Sequence, residues 1–258
     1  MNNINLKNIT ENLIDTFFEA GKIAKEISDK GVKITIKKDK SPVTNGDLAV
    51  DKILREKIET LTPQIPIVSE ETVKTKIENM NKNFWLVDPI DGTKDYIKKR
   101  DEYTLNAALI LNLKPEIGII YAPAKDRLFF SYGKGSCYEI RKNKTSKLSC
   151  QKRNTGQIIG LENSAGTPKE ILNIYTFYKV SKKIQMSSSL KFCVIAAGEA
   201  DIYAAKARAY EWDIAAGHAI LEHAGGTVTT HQREKILYGK DGYKNLPIIA
   251  KRSEILDS

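Results

Sequence analysis

Two carboxylates close the apolar run Trp85-Leu86-Val87-Asp88-Pro89-Ile90-Asp91-Gly92-Thr93, and their spacing suits metal and phosphate chemistry. Phe84 to Val87 reads as a buried strand, after which Pro89 cannot continue a ladder and Gly92 permits a turn that other residues resist. Asp88 and Asp91, separated by a stiff Pro-Ile pair, can aim both carboxylates into one space. Gly92 and Thr93 can offer backbone N–H groups to an anion. A plain Asp-Pro-x-Asp-Gly structural turn is the other reading of the same residues.

Two further acidic segments strengthen the chemical reading. Ile65-Pro66-Ile67-Val68-Ser69-Glu70-Glu71 is a second apolar strand ending in carboxylates. Glu211-Trp212-Asp213-Ile214-Ala215-Ala216-Gly217 places an acid at the head of a helix that Gly225-Gly226 stops. If Glu70, Asp88, Asp91 and Asp213 converge, carboxylates about 4 Å apart repel by roughly 4 kcal/mol at an effective dielectric of about 20. Such a cluster calls for cations. The candidate ligands are all oxygens, with no His or Cys at metal-ligand spacing, which favours magnesium or manganese over zinc. Magnesium keeps several waters and makes one acidic enough to attack a phosphate monoester.

In combination these segments resemble the inositol monophosphatase superfamily of lithium-sensitive, magnesium-dependent phosphatases. Its pattern is Glu-Glu, then Asp-Pro-(Ile/Leu)-Asp-Gly-Thr, then Trp-Asp-x-Ala-Ala-Gly. Lys40-Ser41-Pro42-Val43-Thr44, Asp88 through Tyr96, Ser187 through Cys193 and Trp212 through His218 are most similar to the 3'(2'),5'-bisphosphate nucleotidases of the CysQ type. The similarity spans nearly the whole chain. It implies a layered αβαβα sandwich of the inositol monophosphatase and sugar phosphatase type, mixing α+β and α/β organisation. It also implies Mg2+, two or three ions per active site, with Asp88 as a bridging ligand. Glu70 and the Ile90 carbonyl would complete one ion's protein ligands, and Asp91 and Asp213 would hold the other. Thr93 and Asp47 match the pair that orients and deprotonates the attacking water, with Asp47 as proton acceptor. The resemblance further implies that Gly92 and Thr93 bind phosphoryl oxygens and that Ser188 and Lys191 help bind the nucleotide, Lys191 near its second phosphate. The implied substrate-contacting set is then Glu70, Ile90, Asp91, Gly92, Thr93, Ser188, Lys191 and Asp213.

Local structure offers other duties for several of these residues. Asp47 follows Thr44-Asn45-Gly46 and precedes the amphipathic run Leu48-Ala49-Val50-Asp51-Lys52-Ile53-Leu54, so it can cap that helix, and a cap and a base can be one carboxylate. Gly46 stands where the family usually has alanine. Ser187-Ser188-Ser189 before Leu190-Lys191 makes an anion pocket if it opens a helix, although a simple cap needs only one serine. Glu71 is expected as a neighbouring or solvent-facing group rather than a ligand, and Asp39 as part of a solvated loop. His218 and His223 miss the four-residue spacing of a paired ligand face and are expected as surface or interface residues, with His231 in a polar loop.

The elements that must position these groups can be read in outline. Ile9, Leu13, Phe17, Ala20 and Ala24 mark a long first helix over 9–27, closed by Gly31, and 32–37 alternates as a strand. The Asp47 helix runs to about Leu61, before Pro63 and Pro66. Tyr103 to Ile140 reads as an antiparallel meander with turns at 112–115 and 132–135. Strand-like and helix-like segments alternate from Ile158 to His223. A soft boundary in the polar stretch 142–156 suggests an N-terminal α+β half, 1–145, with most of the ligands. A C-terminal α/β half, 146–258, then carries Asp213 and the nucleotide-binding segment.

At 258 residues the chain can bury a substantial core. It has no apolar run of about 18 residues and no export signal, so a cytoplasmic protein without a transmembrane segment is expected. Cys137, Cys150 and Cys193 form no C-x-x-C pair, as befits a reducing compartment. The net charge of +9 comes from short, scattered runs such as Lys98-Lys99-Arg100, without aromatic interleaving. We therefore expect a field that attracts anionic small molecules and no specific nucleic acid, with weak peripheral contact to the cytoplasmic membrane face allowed. Either a monomer or a homodimer is compatible with the sequence. The leading activity is hydrolysis of adenosine 3',5'-bisphosphate to AMP and phosphate, with the sulfated nucleotide as another substrate. An inositol or sugar monophosphatase with the same metal site, and a non-catalytic nucleic-acid-binding protein, are the alternatives.

Overall fold

Helix α1 (Leu6–Lys30) forms because Ile9, Leu13, Phe17, Ala20 and Ala24 fall on one face, all buried. The Asn5 side chain accepts from the Asn8 N–H at its start, and Gly31 at φ 99° ends it. These coordinates are a computed structural model describing residues 5–37, 39–73, 82–150, 156–163 and 166–253. Strands β1 (Ile34–Ile36) and β2 (Pro42–Thr44) pair as a separate antiparallel hairpin. Ile34 and Ile36 are exposed, so the alternation over 32–37 marks a strand without a buried face. Lys38, in the lysine pair of this loop, lies outside the described residues.

Helix α2 (Asn45–Leu61) starts from a capping box at Thr44 and buries Val50, Leu54 and Ile58. A seven-stranded sheet follows, built from β3 (Ile67–Ser69), β4 (Phe84–Asp91), β5 (Thr104–Leu111), β6 (Lys114–Ala122), β7 (Arg127–Ser131), β8 (Cys137–Arg141) and β9 (Lys144–Lys147). Only β3–β4 is parallel; β5 through β8 form the expected meander, and β9 extends it by one strand into the stretch read as a polar boundary. Strand β4 does not stop before Pro89. The ladder to β5 shifts register between Asp88 and Asp91 and resumes at Asp91 opposite Thr104. A bulge tolerates the missing proline N–H, so the strand passes through it. Gly92 then turns the chain at φ 92° into the short helix α3 (Thr93–Ile97).

The remaining chain supplies β10 (Ile159–Glu162), α4 (Lys169–Phe177), β11 (Lys182–Gln185), α5 (Leu190–Ala196), β12 (Ile202–Ala205), α6 (Glu211–His223), β13 (Thr227–Thr230) and β14 (Ile248–Lys251). Its five strands are ordered β11-β10-β12-β14-β13, with β14 antiparallel to both neighbours. The last two strands were not anticipated, and they make this sheet mixed. Strand β9 reaches just past residue 145, and residues 151–155 of the polar stretch 142–156 lie outside the described residues.

Packing arranges these parts in layers. Trp85, Val87, Ile117 and Ile119 meet α1 and α2 on one face of the larger sheet. Phe84, Leu86, Ile120 and Phe129 meet α5 and α6 on the other, and these helices also pack on the five-stranded sheet. Ile171 and Tyr175 of α4 cover the outer face, over Ile202, Ala204 and Ile249. The order is therefore αβαβα. Covered on both faces, β4 reads as a continuous apolar run rather than an alternation.

Candidate metal centre and substrate cleft

The end of β4 and the ends of its neighbours bring the acids together. The Glu70 N–H donates to the Val87 carbonyl at 3.1 Å, fixing Glu70 beside the last apolar residue before Asp88. Asp213 is the third residue of α6, and its Oδ2 accepts the Tyr210 N–H at 2.7 Å. Oxygens of Glu70, Asp88 and Asp213 lie within 4.8 Å of one another. Asp88 is 1% exposed, and its buried Oδ1 has no hydrogen-bond partner among the described residues. Burial pushes Asp88 well above the ordinary carboxylate range, and Glu70 and Asp91 push further. Asp213 is likewise raised by burial and by Asp91. Asp91 sits beside this triad, with its Oδ2 accepting the Ser189 N–H at 2.5 Å. Burial pushes Asp91 up to about 6, against the opposing Lys191 charge. An orphaned carboxylate oxygen inside an oxygen-only acidic set fits a hard divalent cation.

Asp47 and Thr93 meet at the same place. The Thr93 hydroxyl lies 3.3 Å from Asp47 Oδ1 and 3.1 Å from the Ile90 carbonyl, so its single proton serves one acceptor at a time. Asp47 Oδ2 accepts from the Thr44 N–H and hydroxyl, so Asp47 completes the helix cap while facing Thr93. Burial raises its pKa, with the Thr44 hydrogen bonds opposing. A Cβ at Gly46 would lie 2.4 Å from the Tyr96 hydroxyl, which donates to the Ala24 carbonyl at 2.6 Å. This contact explains glycine at that position.

A cavity of about 500 Å³ opens over the acids, bordered by Gly92, Ser187, Ser188, Lys191, Arg208 and Asp213 among others. Ser189 precedes α5 but makes no side-chain cap. Its hydroxyl donates instead to Asn106 Oδ1 at 2.8 Å and lies 2.9 Å from Thr104 Oγ1. Ser188 holds a left-handed φ of 56°. Lys191 is 4% exposed; its ammonium donates to the Met186 carbonyl at 3.2 Å and sits 5.0 Å from the Tyr203 ring centre. Burial lowers its pKa to about 8, with Asp91 opposing.

Several participants were not read from the sequence. Lys37 Nζ bridges Glu70 at 2.9 Å and Glu71 at 2.8 Å. Burial works against its charge, yet the two glutamates hold the ammonium above the ordinary lysine range. The Glu71 side chain is 4% exposed, so it faces Lys37 and not solvent. Asn106 had one legible signal, a lone amide in the apolar run 105–111. Lys37 had none among scattered lysines. His218 is not a surface residue: it is 2% exposed and shares a 2.8 Å hydrogen bond with the Tyr238 hydroxyl. Helix α6 lies between two sheets and buries most of its circumference, which defeats a spacing argument that assumes a solvent face.

With this fold and this acidic centre, the chain matches the inositol monophosphatase family over residues 5–256 and belongs to that family. It is a phosphatase of that family. It is 38% identical over 205 residues to the 3'(2'),5'-bisphosphate nucleotidase CysQ of Buchnera aphidicola, covering 79% of this chain and 76% of that protein. The crystal structure of CysQ from Bacteroides thetaiotaomicron, a bacterial member of the same family, superposes with a TM-score of 0.80 at 27% identity, covering 97% of this chain and 98% of that one. Inositol monophosphatase from Anabaena shares the fold, with a TM-score of 0.77 at 23% identity over 97% of this chain and 93% of that one. Among the described residues no helix is long and apolar enough to cross a membrane.

Proposed function

We propose that the enzyme hydrolyses adenosine 3',5'-bisphosphate to AMP and phosphate in the presence of Mg2+, and accepts the sulfated nucleotide as well. The observation that carries this reading is the buried Asp88 carboxylate gathered with Glu70 and Asp213, one of its oxygens without a partner among the described residues, beside a cleft large enough for a nucleotide. Similarity to the bisphosphate nucleotidases supports the choice of substrate. Two or three bound Mg2+ ions would neutralise the carboxylates, acidify a water and stabilise the departing ribose oxygen. Asp88 is assigned as the bridging ligand, Glu70 and the Ile90 carbonyl as ligands of one ion, and Asp91 and Asp213 as ligands of another.

The chain's own groups then have distinct duties. Thr93 holds the attacking water and Asp47 receives its proton, directly or through the Thr93 hydroxyl. The water oxygen forms the new bond to phosphorus as the bond from phosphorus to the ribose 3'-oxygen breaks, and that oxygen regains a proton from solvent. Gly92 and Thr93 N–H groups hold the phosphoryl oxygens. Ser188 and Lys191 help to hold the nucleotide. We also propose two halves, 1–145 and 146–258, with the reaction at their junction.

The test is phosphate release by wild type and Asp88→Asn with adenosine 3',5'-bisphosphate and with inositol 1-phosphate. Asp88→Asn should abolish Mg2+-dependent release while its circular dichroism stays near wild type. Near-normal turnover by a folded variant contradicts the bridging role, and a wild-type preference for inositol 1-phosphate contradicts the substrate.

A further inference from the structure

Resting on the metal-dependent reading above, we infer that Glu211 is a positioning residue for the metal centre. It is not a ligand. By gripping the segment 237–240 it fixes the start of α6 against the larger sheet, and with it the place of Asp213 relative to Glu70 and Asp88.

Glu211 is the first residue of α6 and is fully buried. Two positions apart on a helix, Glu211 and Asp213 point to different sides, so the side that meets the other acids is not the one that holds Glu211. Both oxygens of Glu211 are taken by one loop. Oε2 accepts the Gly239 N–H at 2.6 Å, while Oε1 accepts the Lys240 N–H at 2.9 Å and lies 2.6 Å from the Lys240 ammonium. Gly239 holds a left-handed φ of 87°, which lets two successive N–H groups turn onto one carboxylate. A carboxylate is costly to bury unless its charge is paired and its lone pairs are filled, and this loop does both. A buried anion so fully bound permits few arrangements of the backbone on either side of it.

The loop is itself tied to the sheet that carries the other acids. The Tyr238 N–H donates to the Leu113 carbonyl at 3.0 Å, in the turn between β5 and β6, and β5 pairs with β4, the strand of Asp88. An unbroken line of contacts therefore runs from the strand of Asp88 through Leu113, Tyr238 and Glu211 to Asp213. The Tyr238 hydroxyl repeats the tie about two turns further along α6, through its 2.8 Å hydrogen bond with His218. Asn245 closes the other side of the helix start. Its N–H donates to the Ala209 carbonyl at 3.0 Å and its side-chain amide to the Tyr210 carbonyl at 2.5 Å, next to the Tyr210 N–H that Asp213 accepts. Release of Glu211 would leave Asp213 on a helix end held from one side only.

The experiment measures Mn2+ binding, from the electron paramagnetic resonance signal of the free ion, in wild type, Glu211→Gln, Lys240→Gln and Leu13→Ala. Loss of a group that orients a ligand weakens metal binding about 10- to 100-fold, and Glu211→Gln should raise the apparent Kd by such a factor. Lys240→Gln separates position from charge. It leaves the region more negative, so the field alone would tighten Mn2+ binding, whereas a loosened loop should weaken it. This variant also carries the test if Glu211→Gln does not fold. Leu13→Ala, on the buried face of α1, should lower the urea midpoint and leave the apparent Kd unchanged. In phosphate release, Glu211→Gln should need correspondingly more Mg2+ for half-maximal rate, with KM for the nucleotide at saturating Mg2+ near wild type. If wild type binds Mn2+, an unchanged Kd in Glu211→Gln and Lys240→Gln, or tighter binding in Lys240→Gln, overturns the role of Glu211 alone. An equal loss of affinity in Leu13→Ala does the same, since general destabilisation then accounts for it. A wild type that neither binds Mn2+ nor releases phosphate with Mg2+ overturns the metal-dependent reading as well.

Discussion

Asp91 joins several lines of the site's chemistry: it is half-buried, receives the Ser189 N–H, and is pushed up to about 6 from an ordinary 3.8. That shift gives the metal-free protein a pH signature. Below the ordinary value both folded and unfolded chains carry the proton. Between 3.8 and about 6 the unfolded chain has lost it while the folded one keeps it, so stability falls as pH rises through this window. The full penalty, roughly 3 kcal/mol for a shift of about two units, is present above the window. Asp91→Asn removes the titration and can still accept the Ser189 N–H. In chelator-treated samples, urea midpoints of the variant should therefore gain on wild type between about pH 4 and about pH 6.5. A stability difference that stays constant across that range would remove the buried-carboxylate argument. The acids were legible because each stands at an end of a recognisable local pattern, Glu70, Asp88 and Asp91 closing strands and Asp213 opening a helix. Lys37 was not, since its partners lie 33 and 34 positions away and no spacing rule reaches so far.

Helix α6 is the element that delivers Asp213, and its height over the larger sheet is set by small residues. A Cβ at Gly118 of β6 would lie 2.3 Å from the Ala216 carbonyl oxygen and 2.9 Å from the Ala219 Cβ. Gly118→Ala must therefore lift the helix or bend the strand, and overpacking of this kind costs about 1–3 kcal/mol. The displaced helix carries Asp213 with it. We expect a lower urea midpoint together with reduced Mg2+-dependent phosphate release, and wild-type values in both would show that the contact is slack. At this scale the sequence showed most where one face meets water or where both faces are covered. α1 and α2 declared themselves by amphipathic spacing, and the strands of the meander by apolar runs between turns. It showed least where an element is short or breaks a local rule. β13 and β14 have four residues each and few alternations to count, while Pro89 looked like a strand end until a bulge absorbed it.

Across the whole molecule, the acidic centre draws on parts distant in sequence: Glu70, Asp88 and Asp91 come from the larger sheet, and Asp213 from the helix layer between the sheets. Ser189 adds a second tie, joining the start of α5 to Asp91, Asn106 and Thr104. Without a cation these contacts must hold several mutually repelling carboxylates together. A cation that binds only the assembled arrangement stabilises it by mass action, about 2.7 kcal/mol at a hundredfold excess over Kd. The gain should not be local to one sheet. In hydrogen exchange, Mg2+ should slow the amides of 84–91 and of 211–217 together, because opening either segment separates the ligands. Asp213→Asn should weaken that added protection in both segments. Protection gained in 84–91 alone, with 211–217 unchanged by Mg2+, would mean that the helix layer takes no part in holding the ion.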